Sequence, residues 1–202
     1  MHVVLLNQAF HPDVVATAQM GSDLACALRA RGHRVTAVAS RSIYGKAGAT
    51  LPRRETWNGI DIRRVGFSLF GKRGTLARIF DFGLFYALAA LRVLTLPRPD
   101  VVVSFTTPPY IARVGLTASF LRRSKAVYWV MDVYPDVMVA GGMLKAGSWR
   151  VRLLERLHRR ILRKSHATVV LGRCMRDLVL AGGAPPERVH HIGVWADLDG
   201  IV

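Results

Sequence analysis

Cysteine is nearly absent from these 202 residues: Cys26 and Cys174 stand far apart, with no CxxC pair. That spacing excludes a disulfide framework and a cysteine-built zinc site, and it suits a reducing cytosol. Long apolar runs are missing as well. The longest, FGLFYALAAL at 82–91, is closed by Asp81 and Arg92, whereas a bilayer-spanning helix needs about 20 apolar residues. The opening MHVVLLNQAF turns polar after a few residues, too soon for a secretory signal, and reads as a first buried strand. Acids are scarce: 13 Asp and Glu face 29 Lys and Arg, a formal net charge of +16. Such an excess points to a polyanion, whether nucleic acid, anionic lipid or a phosphorylated ligand.

What is present is ample apolar material, 51% of the chain, enough for a packed core. Short β-branched runs alternate with longer segments of helical period, the pattern of a parallel sheet with crossover helices. Strands are predicted at 2–6, 34–39, 60–65, 101–105, 126–131 and 168–171, and helices at 17–31, 75–96, 111–122 and 148–164. The third strand is entered by a turn at Asn58-Gly59. These elements define an α/β fold, a doubly wound parallel sheet of Rossmann-like type. The segment 40–57, with Gly45, Gly48 and Pro52 among basic residues, is longer than a typical connection and is either mobile or functional. Residues 1–194 read as one domain, and 195–202 as the start of a linker.

Ligands of α/β proteins gather at the carboxyl ends of the strands, so the polar residues just past each predicted strand matter most. After the first strand, NQAFHPDVVATAQ leads into a helix with Thr17 as its expected N-cap. A helix start presents free N–H groups to a phosphate, although every βα unit has such a loop and no glycine-rich fingerprint is present. After the fourth strand, SFTTPPY offers Thr106, Thr107 and Tyr110 on a proline-stiffened turn, either toward a ligand or toward its own backbone. After the fifth, WVMDVYPDV places Asp132 and Asp136 around Tyr134 and Pro135. Either acid can deprotonate or orient a hydroxyl, or else end the strand and cap the next turn. His11 is a lone loop histidine.

Residues 149–166, WRVRLLERLHRRILRKSH, form a basic amphipathic helix. Arg152, Arg156, Arg159 and Arg163 share one face, while Val151, Leu154, Leu157 and Ile161 share the other. Such a helix sits on anionic lipid, or is the solvated face of an Arg-rich protein. The segment 79–94 poses the same choice between core and bilayer, and exposure of Phe80, Phe85 or Tyr86 would favour the bilayer. Nucleic acid is the least fitting partner, because no aromatic residues interleave with the basic ones.

The stretches FHPDVVATAQMGSDLACALRARGHRVTAV, VVVSFTTPP, YWVMDVYPDVMVAGGML and IGVWADLDGI together resemble the N-terminal half of family-4 glycosyltransferases, nearest to bacterial enzymes that build surface polysaccharides on lipid carriers. The resemblance implies the GT-B fold: two Rossmann-like domains facing across a cleft, the N-terminal one binding acceptor and the C-terminal one binding nucleotide-sugar. It implies that Asp132 and Asp136 lie on the cleft floor as catalytic candidates, and that Asp13, Val15, Ala16 and Thr17 face the donor diphosphate. Thr106, Thr107, Tyr110 and Tyr134 would line the acceptor side. A retaining reaction with no cofactor and no metal is implied, the nucleotide-sugar being a substrate. Departures are Val14, Val15 and Ala16 where many relatives have glycine, and Thr106 and Thr107 where some have histidine. The expected protein is therefore the acceptor-binding half of a glycosyltransferase for lipid-linked or polysaccharide acceptors. It would be peripheral on the cytoplasmic face of the membrane, and inactive without its C-terminal GT-B domain, which also carries the family's paired glutamates. The alternative is a non-catalytic membrane-docking scaffold that pairs with a separate donor domain.

Overall fold

The computed structural model describes residues 1–43, 46–66 and 75–195. The first part runs β1 (His2–Leu6), α1 (Ala16–Ala30), β2 (Arg34–Ser40), a small pair β3 (Ser42–Ile43) and β4 (Lys46–Thr50), then β5 (Arg54–Trp57) and β6 (Ile60–Val65). The second runs α2 (Thr75–Thr95), β7 (Val101–Ser104), α3 (Ile111–Arg122), β8 (Lys125–Val130), α4 (Asp136–Ala140) and α5 (Trp149–Lys164). It closes with β9 (Ala167–Val170), α6 (Arg173–Ala181), a 3₁₀ turn at Pro186–Arg188 and β10 (Val189–His191). The six expected strands and four expected helices all appear, with ends shifted by at most one residue. Hydrophobic period therefore located them well.

The sheet has eight strands in the order β10-β9-β8-β7-β1-β2-β6-β5. All neighbours pair in parallel except β5, which folds back on β6. Asn58 and Gly59 both take positive φ, 48° and 73°, as a tight hairpin demands. The segment expected as a long loop thus holds β3, β4 and β5; Gly45 within it lies outside the described residues, as do residues 196–202 of the expected linker. Trp195, the first residue of that expected linker, lies tilted against Trp129 at 5.7 Å between ring centroids and donates its indole N–H to Asp23 at 2.9 Å.

Alternation along each strand divides the core. Val3, Leu5, Val35, Ala37, Ile60, Ile62, Val103, Phe105 and Trp129 meet Met20 and Ala25 of α1 on one face. On the other, Val4, Leu6, Val38 and Val102 meet Phe85, Ala89 and Val93 of α2 and Ile111 and Ala118 of α3. A third cluster joins Tyr128, Val130 and Val170 to Ile161 and Leu162 of α5 and Val179 of α6. Phe85 is buried and Tyr86 half-buried, and with Ala89 and Val93 one face of α2 is core; Phe80 alone of the three named aromatics is exposed. No helix among the described residues is long and apolar enough to cross a membrane.

Helix and sheet approach closely at Gly115 of α3. A Cβ there would lie 1.9 Å from the Ser104 hydroxyl oxygen and 3.2 Å from its Cβ. Gly115→Ala is expected to destabilise by about 1–3 kcal/mol through overpacking, despite the better helix propensity of alanine. Adding Ser104→Ala should recover part of the loss. Thermal melts of the single and double variants check this, and an unchanged melting point in Gly115→Ala would contradict the packing.

Candidate functional site

Right-handed crossovers put α1 on one face of the sheet and α2, α3 and α5 on the other. The winding therefore reverses between β1 and β7, and the loops leaving those two strands diverge to opposite faces, opening a crevice at their carboxyl ends. Backbone bonds continue the sheet past the strand ends. Asn7 N–H donates to Val38 O (3.2 Å), Gln8 N–H to Thr107 O (2.7 Å), Phe105 N–H to Leu6 O (3.1 Å) and Ser40 N–H to Gln8 O (2.8 Å). The crevice floor is thus one connected backbone network, and the polar side chains it carries are fixed in place.

On the α3 side of the crevice, the buried Thr106 hydroxyl donates to Oδ2 of Asp132 at 3.2 Å. This contact joins the loop after β7 to the loop after β8, and leaves the half-buried Asp132 with further lone pairs for a ligand hydroxyl. Tyr110 sits at the N-cap of α3 with φ of 64°, its ring 5.9 Å from that of Tyr134. Burial pushes the Tyr110 hydroxyl above its ordinary range, with Asp136, Tyr134, Glu155 and Tyr86 adding to the effect. Burial, then Asp132, does the same to Tyr134. Both phenols stay protonated and serve as donors. The Tyr110 oxygen is buried with no hydrogen-bond partner among the described residues. Thr107 is half-buried beside them, and Asp136 is exposed in the first turn of α4.

On the α1 side, the helix begins one residue earlier than expected. Its N-cap is Val15, not Thr17, and no side chain caps it; Thr17 is half-buried within the first turn. The reason is visible in Asn7, whose Nδ2 donates to Ala9 O (2.7 Å) and Thr17 O (3.3 Å) and so braces the loop against the helix start. Ala16 N–H and Thr17 N–H precede the first bonds of the helix, which run from Ala18 and Gln19 to Val15 O. Asp13 is buried, and Ala16 is exposed.

Three positioning residues were not singled out from the sequence. Asn7 is one. Arg64 of β6 is the second: its side chain is completely buried, pairing with Glu55 of β5 and donating from Nη2 to His11 O at 2.6 Å. The ring of His11 stacks on Trp57, 4.0 Å between centroids and 13° between planes. The β5–β6 hairpin thus grips the first loop through a guanidinium and an indole, which gives His11 a packing partner rather than a surface position. The third is His158 of α5, buried with its ring edge-on to Tyr128 at 6.1 Å and with neither nitrogen hydrogen-bonded among the described residues.

Arg152, Arg156, Arg159 and Arg163 are all exposed, as the helical period requires. Three of them, with Arg160 and Lys164, line an open groove of about 430 Å³ along α5. Arg152 does not reach it. Among the described residues none of these cations has an acidic partner within salt-bridge distance.

Fold and crevice together define the class: one Rossmann-like half of a GT-B architecture, with ligand loops at the switch in winding. Residues 16–195 match the glycosyl transferase 4-like domain, and the chain belongs to that family, as an N-terminal domain. Over 124 residues it is 36% identical to the probable glycosyltransferase WbjE of Pseudomonas aeruginosa, a stretch that makes up 60% of this chain and 30% of WbjE. In fold it is similar to Anabaena Alr3699/HepE in complex with UDP-glucose (TM-score 0.57, 14% identity, 98% of this chain and 45% of that one). It is also similar to the catalytic domain of Arabidopsis thaliana starch synthase IV bound to ADP and acarbose (TM-score 0.66, 12% identity, 98% of this chain and 52% of that one). The chain thus spans about a third to a half of these relatives. The scaffold alternative draws no support from them.

Two outcomes follow from the anchors. Arg64→Met removes a buried charge, whose loss in itself is often tolerated, but it leaves the His11 carbonyl without its donor. Amide exchange across residues 8–16 should accelerate by about tenfold or more while the global melting point moves little; unchanged local exchange would refute the anchoring role. Burial holds His158 below its ordinary value of 6.5, with Asp136 pulling the other way, and burial likewise lowers His2 and His11. The unfolded chain therefore takes up protons first, so this stability is complete above 6.5 and declines as pH falls toward the folded values. Melting points from about pH 7.5 to about 5.5 should fall, and His158→Phe should flatten part of the slope.

Proposed function

We propose that this domain is the acceptor-binding half of a nucleotide-sugar-dependent glycosyltransferase acting on lipid-linked or polysaccharide acceptors in cell-surface glycan synthesis. The observation that carries the reading is the Thr106–Asp132 contact at the switch in winding, a carboxylate fixed from one side and open on the other. On this reading Asp132 accepts a hydrogen bond from the acceptor hydroxyl and aligns its oxygen on the anomeric carbon of the donor sugar. That carbon's bond to the diphosphate oxygen breaks, the nucleoside diphosphate departs with the electron pair, and the acceptor proton leaves with it. Tyr110 and Tyr134 supply ring faces and hydroxyl donors to the acceptor, Thr107 lines the same side, and Asp136 at the mouth reaches its outer hydroxyls.

The donor comes from the second GT-B domain. The start of α1, at Val15, Ala16 and Thr17, with Ala16 exposed, meets its diphosphate with N–H groups that no side chain caps, while Asp13 nearby is buried. The solved relative that holds UDP-glucose supports a nucleotide-sugar as the donor class. The cationic face of α5 keeps the domain peripheral on the cytoplasmic face of an anionic membrane, where a lipid-linked acceptor lies.

The test is glycosyl transfer from a panel of nucleotide-sugars to lipid-linked acceptors, with the donor-side domain joined in cis. Asp132→Ala is expected to lower kcat/KM by about 100-fold with little effect on the donor's KM, and Thr106→Val by about tenfold. Undiminished transfer by a folded Asp132→Ala protein would remove the acid from the mechanism.

A further inference from the structure

We propose that the start of α5 inserts into the bilayer interface, so that the helix rests on the membrane tilted, with its crevice end deepest. The inference rests on the membrane-facing reading of α5 and adds to it an apolar anchor, an orientation and a consequence for acceptor access. Successive helical residues are about 100° apart, so Trp149, Leu153, Arg156, Arg160 and Arg163 fall in one stripe about 80° wide. Trp149 is 69% exposed and Leu153 54%, and all three arginines are exposed. The stripe is polarised along the axis, with its apolar pair in the first two turns and its cations below them. Met143, 66% exposed on the segment leading into the helix, extends the apolar end.

Charge alone fits any phosphate polymer. An exposed tryptophan and leucine on the same stripe do not, because a phosphate backbone gives them nothing to be buried in. The headgroup region of a bilayer accepts both kinds of residue: indole and leucine pass below the phosphates while arginines remain level with them. Arg150, which lies over the Trp149 ring at 5.6 Å, is placed to follow the indole to that depth and keep its own charge at the surface.

Topology fixes which end is which. β8 and β9 are parallel neighbours, so the connection between them must return from the carboxyl edge of the sheet to its amino edge. The first residues of α5 therefore lie at the crevice end, and Lys164 lies at the opposite end. Insertion of Trp149 and Leu153 brings the edge that carries Asp132 and Thr106 to the bilayer surface. A lipid-linked acceptor can then enter the crevice while its hydrocarbon stays in the membrane.

Vesicles of phosphatidylcholine with about 30 mol% phosphatidylglycerol, with ordinary or brominated acyl chains, separate insertion from adsorption. Wild type should bind at about 0.15 M salt, with tryptophan fluorescence quenched by the brominated chains. Trp149→Phe should bind nearly as well yet lose most of that quenching. Trp149→Ala with Leu153→Ser should still bind at low salt but fall about tenfold or more below wild type at about 0.5 M, where screening leaves the apolar anchor to act. Binding without quenching would overturn insertion while leaving electrostatic docking intact. Equal quenching in Trp149→Phe would overturn the assignment to α5. No vesicle binding, or binding to single-stranded RNA in its place, would overturn insertion and the membrane reading together.

Discussion

The reversal of winding between β1 and β7 is the constraint on which everything else depends. A parallel sheet must bury both faces under crossover helices, and right-handed crossovers allow this only if the chain turns back across β1. The return is made by α2, which connects β6 on one side of β1 to β7 on the other. At that point two loops leave neighbouring strands toward opposite faces. Asn7, Thr106 and Asp132 stand there because that is where the topology leaves polar groups close to the core with room for a ligand.

A crevice made by loops is useful only if the loops hold still, and here two buried polar groups do the holding. Thr106 restrains Asp132 from one side. Arg64 restrains the first loop from the other, through the His11 carbonyl, while Glu55 balances its charge. Burying a guanidinium is expensive and rarely gains net stability over an apolar side chain. Its role is better seen as specification: a planar guanidinium held by Glu55 through Nη1 and bonded to the His11 carbonyl through Nη2 defines the loop's position in a way an apolar residue would not. The stacked pair of His11 and Trp57 reinforces that position without adding charge.

Most of the sheet could be read from residue pattern because strands buried on both faces are nearly continuous apolar runs, as in HVVLL and VVVS. The site residues could be placed at the correct edge for the same reason, since each follows directly on such a run. What escaped were residues whose chemistry disguised their position. Arg64 continues the alternation of Ile60 and Ile62, so period alone puts it on the buried face of the predicted strand 60–65, but a charged side chain there gives no sign of the partner it meets. His158 likewise falls between Val151 and Ile161 in helical register, in a stretch where the surrounding arginines dominate. Thr17 looked like a cap by residue type; its cap position went to Val15 because Asn7, ten residues earlier, holds the Thr17 carbonyl. A contact between distant residues leaves no local signature. The short elements β5, α6 and β10 were missed because a few residues carry too little period to register.

The scarcity of acids explains why the surface of α5 is so strongly cationic. Of the 13 carboxylates, several are occupied by partners elsewhere in the fold. Glu55 pairs with Arg64, Asp61 with Arg54 and Arg63, Asp100 accepts the backbone N–H of His2, Asp23 takes the indole of Trp195, and Asp132 takes Thr106. Glu155 is the sole acid in α5, against seven Lys and Arg in the same helix. Unneutralised guanidinium groups repel one another, and that repulsion costs the folded domain some stability. It is relieved by salt, and also where an extended anionic surface lies along the helix. The carboxylates occupied elsewhere in the fold thus leave the outer helix with a charge complementary to an external anionic surface.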